Sequence, residues 1–154
     1  MIRKKKVKKL KAVDAAYIAA MIDGEGSIML IRAHKNEYRR IWISISNCDK
    51  KMLEWVSQKI GIGKVYSKKI YNERHMPTFF YRIDGRRSLP LLKQICPYLR
   101  TYKKERAKLI LKYFLKLTPR NGKYSEKMLT KKKIFTEKFM KLNTTKRNQV
   151  LDYI

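Results

Sequence analysis

The stretch YRRIWISIS, Tyr38–Ser46, limits the possible folds more than any other part of the chain. Ile41, Ile43 and Ile45 fall on one side of an extended backbone, and Arg40, Trp42, Ser44 and Ser46 on the other. Successive strand side chains point to opposite faces, so this segment requires a sheet with one buried face and one open face. A partner strand precedes it, SIMLIRAH at Ser27–His34, joined through the tip KNE. In that strand Arg32 is in phase with Ile28 and Leu30, which leaves its outward face open to either assignment. KVYSKKIY and TFFYRID form a second hairpin around NERHMP.

Helical patterns fill the intervals. Asp14 is placed to cap a helix running to about Asp23, where Gly24 and Gly26 end it. DKKMLEWVSQKI is amphipathic and is stopped by GIG at Gly61–Gly63. Further helices are expected over Ser88–Ile95, Thr101–Leu117 and Ser125–Leu142, broken at Pro97 and at the loop TPRNG. Helices alternating with hairpins around one antiparallel sheet make an α+β domain. The 154 residues suit one such domain, over 12–154, preceded by a basic arm, Met1–Lys11, that is mobile or lies on the partner.

Charge narrows the function. Lys and Arg number 39 against 12 acidic residues, a formal charge of +27. A surface that repels itself this strongly works against a polyanion, and nucleic acid is the natural one. Interleaved aromatics on the strands fit that partner. Arg40, Ser44, Tyr66, Lys68 and Arg82 are the candidate contacts on the open sheet face. A strand of eight residues spans ~26 Å, about eight base pairs, and β-ribbons fit the major groove. No apolar run reaches the ~20 residues of a membrane span, and the basic start lacks the apolar core of a signal peptide. The expectation is a soluble intracellular protein with no membrane partner. Cys48 and Cys96 have no metal-ligand spacing and read as buried thiols. His34 and His75 stand at hairpin tips, as nucleic-acid contacts rather than metal ligands, and Lys131–Lys133 read as a solvated helix face.

YIAAMIDGEGSI, Tyr17–Ile28, carries the chemistry. Ala16, Ala19, Ala20 and Asp23 repeat at three- and four-residue spacing, so two such helices could pack closely, backbone against backbone. Two Glu25 carboxylates would then meet at the seam, which is costly without a cation between them. Carboxylate and carbonyl oxygens are what Mg²⁺ selects.

IAAMIDGEG, Ile18–Gly26, resembles the motif of the LAGLIDADG homing endonucleases, with Ala19, Ile22, Asp23 and Gly26 identical to the name-giving consensus. The order of elements, the IGIG before the third strand and the CPYLR…ERA helix entry extend the resemblance over nearly the whole chain. It implies an αββαββα fold with a saddle-shaped antiparallel sheet and helices on one face. It further implies a homodimer, since a single motif is present, on a roughly palindromic duplex site of about twenty base pairs. The implied reaction is metal-assisted hydrolysis of both DNA strands, leaving short 3′ overhangs, with Mg²⁺ or Mn²⁺ as cofactor.

By the resemblance, Glu25 is the metal ligand, assisted by the Gly24 carbonyl, while Asp23 ties the helix end through hydrogen bonds. Asn47 falls near the catalytic water, with Lys50 or Lys51 as a nearby tuning charge. Lys103, with Lys104 as fallback, is the lysine that polarises water. Thr145, Lys146 and Arg147 match a phosphate-contacting segment. The other readings are an RNA-binding maturase that helps its own intron fold, a DNA-binding protein that no longer cuts, and a ribosomal-protein-like RNA binder. The intact DGEG favours the nuclease, because neither folding nor binding requires an acid at Glu25.

Overall fold

The alternating strand is the second of four in one antiparallel sheet. In the computed structural model, which describes residues 5–70 and 74–142, the strands are β1 (Gly26–Ile31), β2 (Arg40–Asn47), β3 (Lys64–Ser67) and β4 (Phe79–Asp84), in spatial order β1-β2-β4-β3. Five helices accompany them: α1 (Ala12–Glu25), α2 (Lys50–Ile60), α3 (Leu89–Ile95), α4 (Lys103–Tyr113) and α5 (Glu126–Lys141). The expected αββαββα order is present, continued by α4 and α5.

One face of the sheet is the floor of the core. Ile28 and Leu30 of β1, Ile41, Ile43 and Ile45 of β2, and Tyr81 and Ile83 of β4 are buried there. They pack against Ile18 and Ile22 of α1, Leu53 and Val56 of α2, and Leu92 and Ile95 of α3. The register Ile28↔Ile43↔Ile83 stacks three β-branched side chains across the sheet, the pairing that a pleated half-buried surface favours. On the opposite face Ser27, Met29, Trp42, Ser44 and Ser46 are half-buried, and among the described residues no helix of the core cluster packs there. β1 ends at Ile31, so Arg32 lies beyond the ladder and its phase no longer matters: Met29 and Ile31 share the open face.

Both hairpins are shorter than their sequence patterns. Residues 32–39, 68–70 and 74–78 lie outside the strands, although Lys68 N–H still donates to the Thr78 carbonyl at 2.8 Å. The expected cap at Asp14 is also revised. Helix α1 starts three residues earlier, after Lys11, and Asp14 sits in its first turn paired with Lys59 at 3.2 Å. Of the two cysteines, Cys96 is buried as expected and Cys48 is exposed at the turn into α2.

The described part of the arm, residues 5–11, is laid against the domain. Val7 and Leu10 pack on the core, Lys8 N–H donates to the Ile60 carbonyl at 2.8 Å, and Gln94 brackets Lys8 and Leu10. Gly61 makes this possible. It closes α2 at φ 85°, and a Cβ there would meet the Lys8 stem at 2.8 Å.

Gly26 is fixed by close approach rather than by its dihedrals. A Cβ there would lie 2.6 Å from Ile22 Cα and 2.8 Å from the Ser44 carbonyl oxygen, both backbone atoms that cannot swing away. This is where α1 turns directly into β1 beneath β2. Gly26→Ala is expected to cost about 1–3 kcal/mol by overpacking, read as a lower urea midpoint at unchanged slope. A wild-type midpoint would show that the α1–β1 junction is not tightly packed.

Candidate active site and nucleic-acid interface

The last turn of α1 divides its two acids between two tasks. Asp23 turns toward its own chain, where its carboxylate accepts from Arg100 N–H at 2.7 Å and from the Thr101 hydroxyl and N–H at 2.5 and 3.3 Å. This ties α1 to the segment entering α4. Glu25, two residues on, is exposed, and among the described residues its carboxylate makes no hydrogen bond or ion pair.

Lys103 secures the same helix end from below. Its ammonium donates to the Ile22 carbonyl at 2.7 Å and the Asp23 carbonyl at 2.8 Å, two of the groups that a helix C-terminus leaves unsatisfied. A cation there also meets the negative end of the helix dipole. The lysine is only 7% exposed. Burial pushes its pKa below the ordinary lysine range and Arg106 adds to that, while Asp23 and then Glu25 pull the other way. Lys104, the fallback, reaches the Pro97 carbonyl instead at 3.3 Å.

The face of α1 turned away from the core carries Val13, Ala16, Tyr17, Ala20 and Gly24, a stripe at helical spacing. Val13 is 71% exposed and a Cβ on Gly24 would meet nothing. Of the four residues expected to form a helix–helix contact, Ala16 and Ala20 are on this stripe. Ala19 is not: it is fully buried in the core of its own chain, because 15, 18, 19 and 22 form the inward side of the helix. Asp23 is likewise engaged with Arg100 and Thr101.

As a metal-binding set, the residues fit in kind and fall short in number. Glu25 is an unengaged carboxylate, and no described side chain donates to the Gly24 carbonyl beside it. Both are hard oxygen donors suited to Mg²⁺. Among the described residues no three His, Cys, Asp or Glu side chains gather as a metal cluster. One chain therefore offers part of an oxygen shell at the end of its exposed stripe.

Asn47 ends β2 at the edge where β1 begins, two residues past the Gly26↔Ile45 pair. Its side-chain oxygen accepts from Asp49 N–H at 2.8 Å, and Asp49 in turn caps α2 through Met52 N–H. Lys50 lies 3.6 Å from Glu54 and over the Phe79 ring, whereas Lys51 is exposed.

The open sheet face gathers the strand candidates. Register aligns Ser27, Ser44, Arg82 and Lys64 in one row, with Arg40 at the start of β2 and Tyr66 opposite Phe80. Arg82 is the centre. Its guanidinium lies 4.4 Å from the Trp42 ring centroid and 4.9 Å from that of Tyr66, with Asp84 3.7 Å away. Stacked between two aromatic faces, the planar fork is held with little rotamer freedom. Arg40 is paired with Glu37 at 3.1 Å, and Lys68 is exposed just past β3. His34 and His75 are exposed in the hairpin loops. Thr145, Lys146 and Arg147 lie outside the described residues.

Two buried cations escaped the sequence reading. Arg106 donates to the Ile28 carbonyl at 2.9 Å between the rings of Tyr102 and Phe139, with its Nε buried and unpaired. Lys132 is buried too, which corrects its assignment to a solvated face. It donates to the Leu117 carbonyl at 2.9 Å and the Thr118 hydroxyl at 3.0 Å, within the rings of Tyr38, Tyr124 and Phe114. The signal was present in phase: Lys132 falls in the stripe of Met128, Phe135 and Phe139, and Arg106 sits beside Ala107 and Ile110.

No protein-family model and no curated protein matches the chain. Solved structures do. It is similar to the homing endonuclease I-CvuI in complex with its target in the presence of Ca, at 20% identity over 88% of this chain and 85% of that one, TM-score 0.69. I-CvuI has also been solved on another target in the presence of Mg. The archaeal intron-encoded homing endonuclease I-Vdi141I, complexed with DNA, follows at 16% identity, 86% of each chain and TM-score 0.59. The LAGLIDADG meganuclease I-AabMI, bound to uncleaved DNA, matches at 21% identity and TM-score 0.59 over 79% of this chain but 43% of its own. The chain has the LAGLIDADG homing-endonuclease fold. In that fold, the motif helix, the open sheet and the entry to α4 are the parts described above.

Lys103 yields a pH prediction. Its folded pKa lies below the unfolded value near 10.5, so between the two the unfolded state holds more protons and stability rises with pH. Relative to Lys103→Met, the wild type is expected to gain stability from pH 8 toward pH 10.5 in paired urea titrations. A stability difference that stays flat, or narrows against the wild type, would show that the ammonium is not penalised by burial.

Proposed function

We propose that the protein is a site-specific, metal-dependent DNA endonuclease that acts as a homodimer and cuts both strands of a duplex. The carrying observation is the contrast at the end of α1. Asp23 and Lys103 hold the helix end to its own domain, while Glu25 is left exposed and unengaged at the end of a stripe of small side chains. Among the described residues nothing hydrogen-bonds or ion-pairs with that carboxylate. The DNA-bound neighbours, and the fact that the chain spans only 43% of I-AabMI, support both the substrate and a two-copy assembly.

In this reading two copies meet along Val13, Ala16, Tyr17, Ala20 and Gly24, and their Glu25 carboxylates face each other. Each chain contributes the Glu25 carboxylate and the Gly24 carbonyl to a divalent ion, Mg²⁺ or Mn²⁺. When bound, such an ion supplies charge stabilisation to the attacking and leaving oxygens of an in-line phosphodiester displacement. Lys103 is a positioning residue: its ammonium fixes the carbonyls of the preceding turn and so the direction in which Glu25 leaves the helix. Asn47, held by its oxygen on Asp49, keeps its amide nitrogen for the water that attacks. The two open sheets lie along the major groove on either side of the centre, covering about twenty base pairs by the strand ruler. Arg82, pre-set between Trp42 and Tyr66, is suited to a bidentate contact with guanine. Cutting leaves short 3′ overhangs.

The test is a selection from a randomised duplex library in Mg²⁺, followed by cleavage and binding of the recovered sequences. Wild type is expected to cut both strands. Glu25→Gln is expected to lose cutting to background while its affinity, measured in Ca²⁺, stays within a few-fold. Cutting that survives the substitution would remove Glu25 from the chemistry, and selection of sequences that neither protein cuts would leave only a binding protein.

A further inference from the structure

The arm and the β3 edge of the sheet enclose a groove of about 1040 Å³ separate from the end of α1. Eight cationic side chains line it and no acidic one does. Lys5, Lys6 and Lys8 come from the arm, Lys64 from the start of β3, and Arg86 and Arg120 from the far wall. Asp84, just outside, serves Arg82 and Arg87 at 3.7 and 2.7 Å. Among the described residues Lys5, Lys6, Lys64 and Arg120 have no ion pair, and all are exposed. The groove is built rather than incidental. Lys8 is bonded through its N–H to Ile60 and through its ammonium to the Gln58 carbonyl at 3.1 Å, with its stem on Gly61.

We infer that this groove binds the phosphate backbone of one strand of the duplex along the β3 edge, a contact distinct from base readout by the open sheet face. The proposal rests on the DNA-binding reading above. Four strands at ~4.8 Å spacing span about 14 Å from β1 to β3, while the major groove is about 12 Å wide. A sheet laid in that groove meets the sugar–phosphate wall at its edge. The groove is continuous with the open face through Tyr66 and Arg82, and its cations stand at that edge. Spread over arm, strand and loop, they match a string of phosphates better than a single small anion. The arm is thereby a clamp already in place before DNA arrives.

Salt dependence separates this from a general charge effect. One variant neutralises the groove (Lys5→Gln, Lys6→Gln, Lys64→Gln, Arg120→Gln); a control removes equal charge from α5 (Lys127→Gln, Lys131→Gln, Lys133→Gln, Lys138→Gln). Binding of a fluorescent duplex of about 30 base pairs is measured against salt, where every phosphate that is no longer neutralised lowers the slope of log K against log salt by roughly 0.9. The groove variant is expected to lose about 2–4 from that slope and the control less than about 1, with unchanged urea midpoints for both. Equal losses in the two, or none in the groove variant, would overturn the assignment while leaving duplex binding by the sheet intact. A wild type that does not bind the duplex would overturn both readings. If the groove variant keeps its duplex slope but loses a structured RNA hairpin, the occupant is RNA and the proposal fails.

Discussion

A buried ammonium at the end of a helix is the interaction on which the rest depends. Lys103 takes the carbonyls of Ile22 and Asp23, and Asp23 takes the backbone of Arg100 and Thr101. Between them they lock α1 to α4 within one turn of Glu25. Opposite charges reach the same turn from both sides, so the burial of Lys103 is compensated by hydrogen bonds rather than by a direct ion pair. The turn that follows admits no slack either, because Gly26 passes within van der Waals distance of Ile22 and Ser44. A carboxylate presented from so constrained a platform keeps its position when a partner or a phosphate arrives, which is what preorganised electrostatics requires.

The second constraint is the one-sided sheet. Apolar alternation fills one face, and the centre of the other carries Ser27, Ser44, Trp42, Tyr66 and Arg82, with Arg40, Lys64 and Asp84 toward its end. Charge is instead concentrated around the rim, in the arm, the β3 edge and the loops. In the proposed function that division is useful. Rim cations supply the salt-sensitive affinity for phosphates, while the less charged face, with its stacked guanidinium, reads base edges.

Much of this was legible in the chain. Isoleucines at 41, 43 and 45 fixed which face of β2 is inward, and the glycines at 61 and 63 ended α2 where expected. The motif led directly to Glu25 and to the tie made by Asp23. What escaped detection has a common cause: long cationic side chains whose heads turn inward. Arg106 and Lys132 satisfy backbone carbonyls and aromatic faces elsewhere in the sequence, with partners 78 and 15 residues distant. Periodicity marks such residues as inward only when an apolar stripe runs through them, as at Lys132. Small residues mislead in the opposite way. Ala16, Ala19 and Ala20 look alike in the sequence, and only the packing of α1 on the sheet assigns Ala19 to the core and leaves the other two outside. The arm could not be placed from its composition, since its anchors are Gln94 and the turn after α2.

The central claim is that two copies join through the exposed stripe of α1 and so bring their Glu25 carboxylates together. The most direct measurement is disulfide trapping at Ala20→Cys in a Cys48→Ser background, read by mass spectrometry under oxidising conditions with and without duplex DNA. The account predicts a covalent dimer that still binds the duplex, and no such product when the cysteine replaces the exposed Ile134 of α5 instead. A protein that stays monomeric at Ala20→Cys, or cross-links equally well through α5, would contradict it.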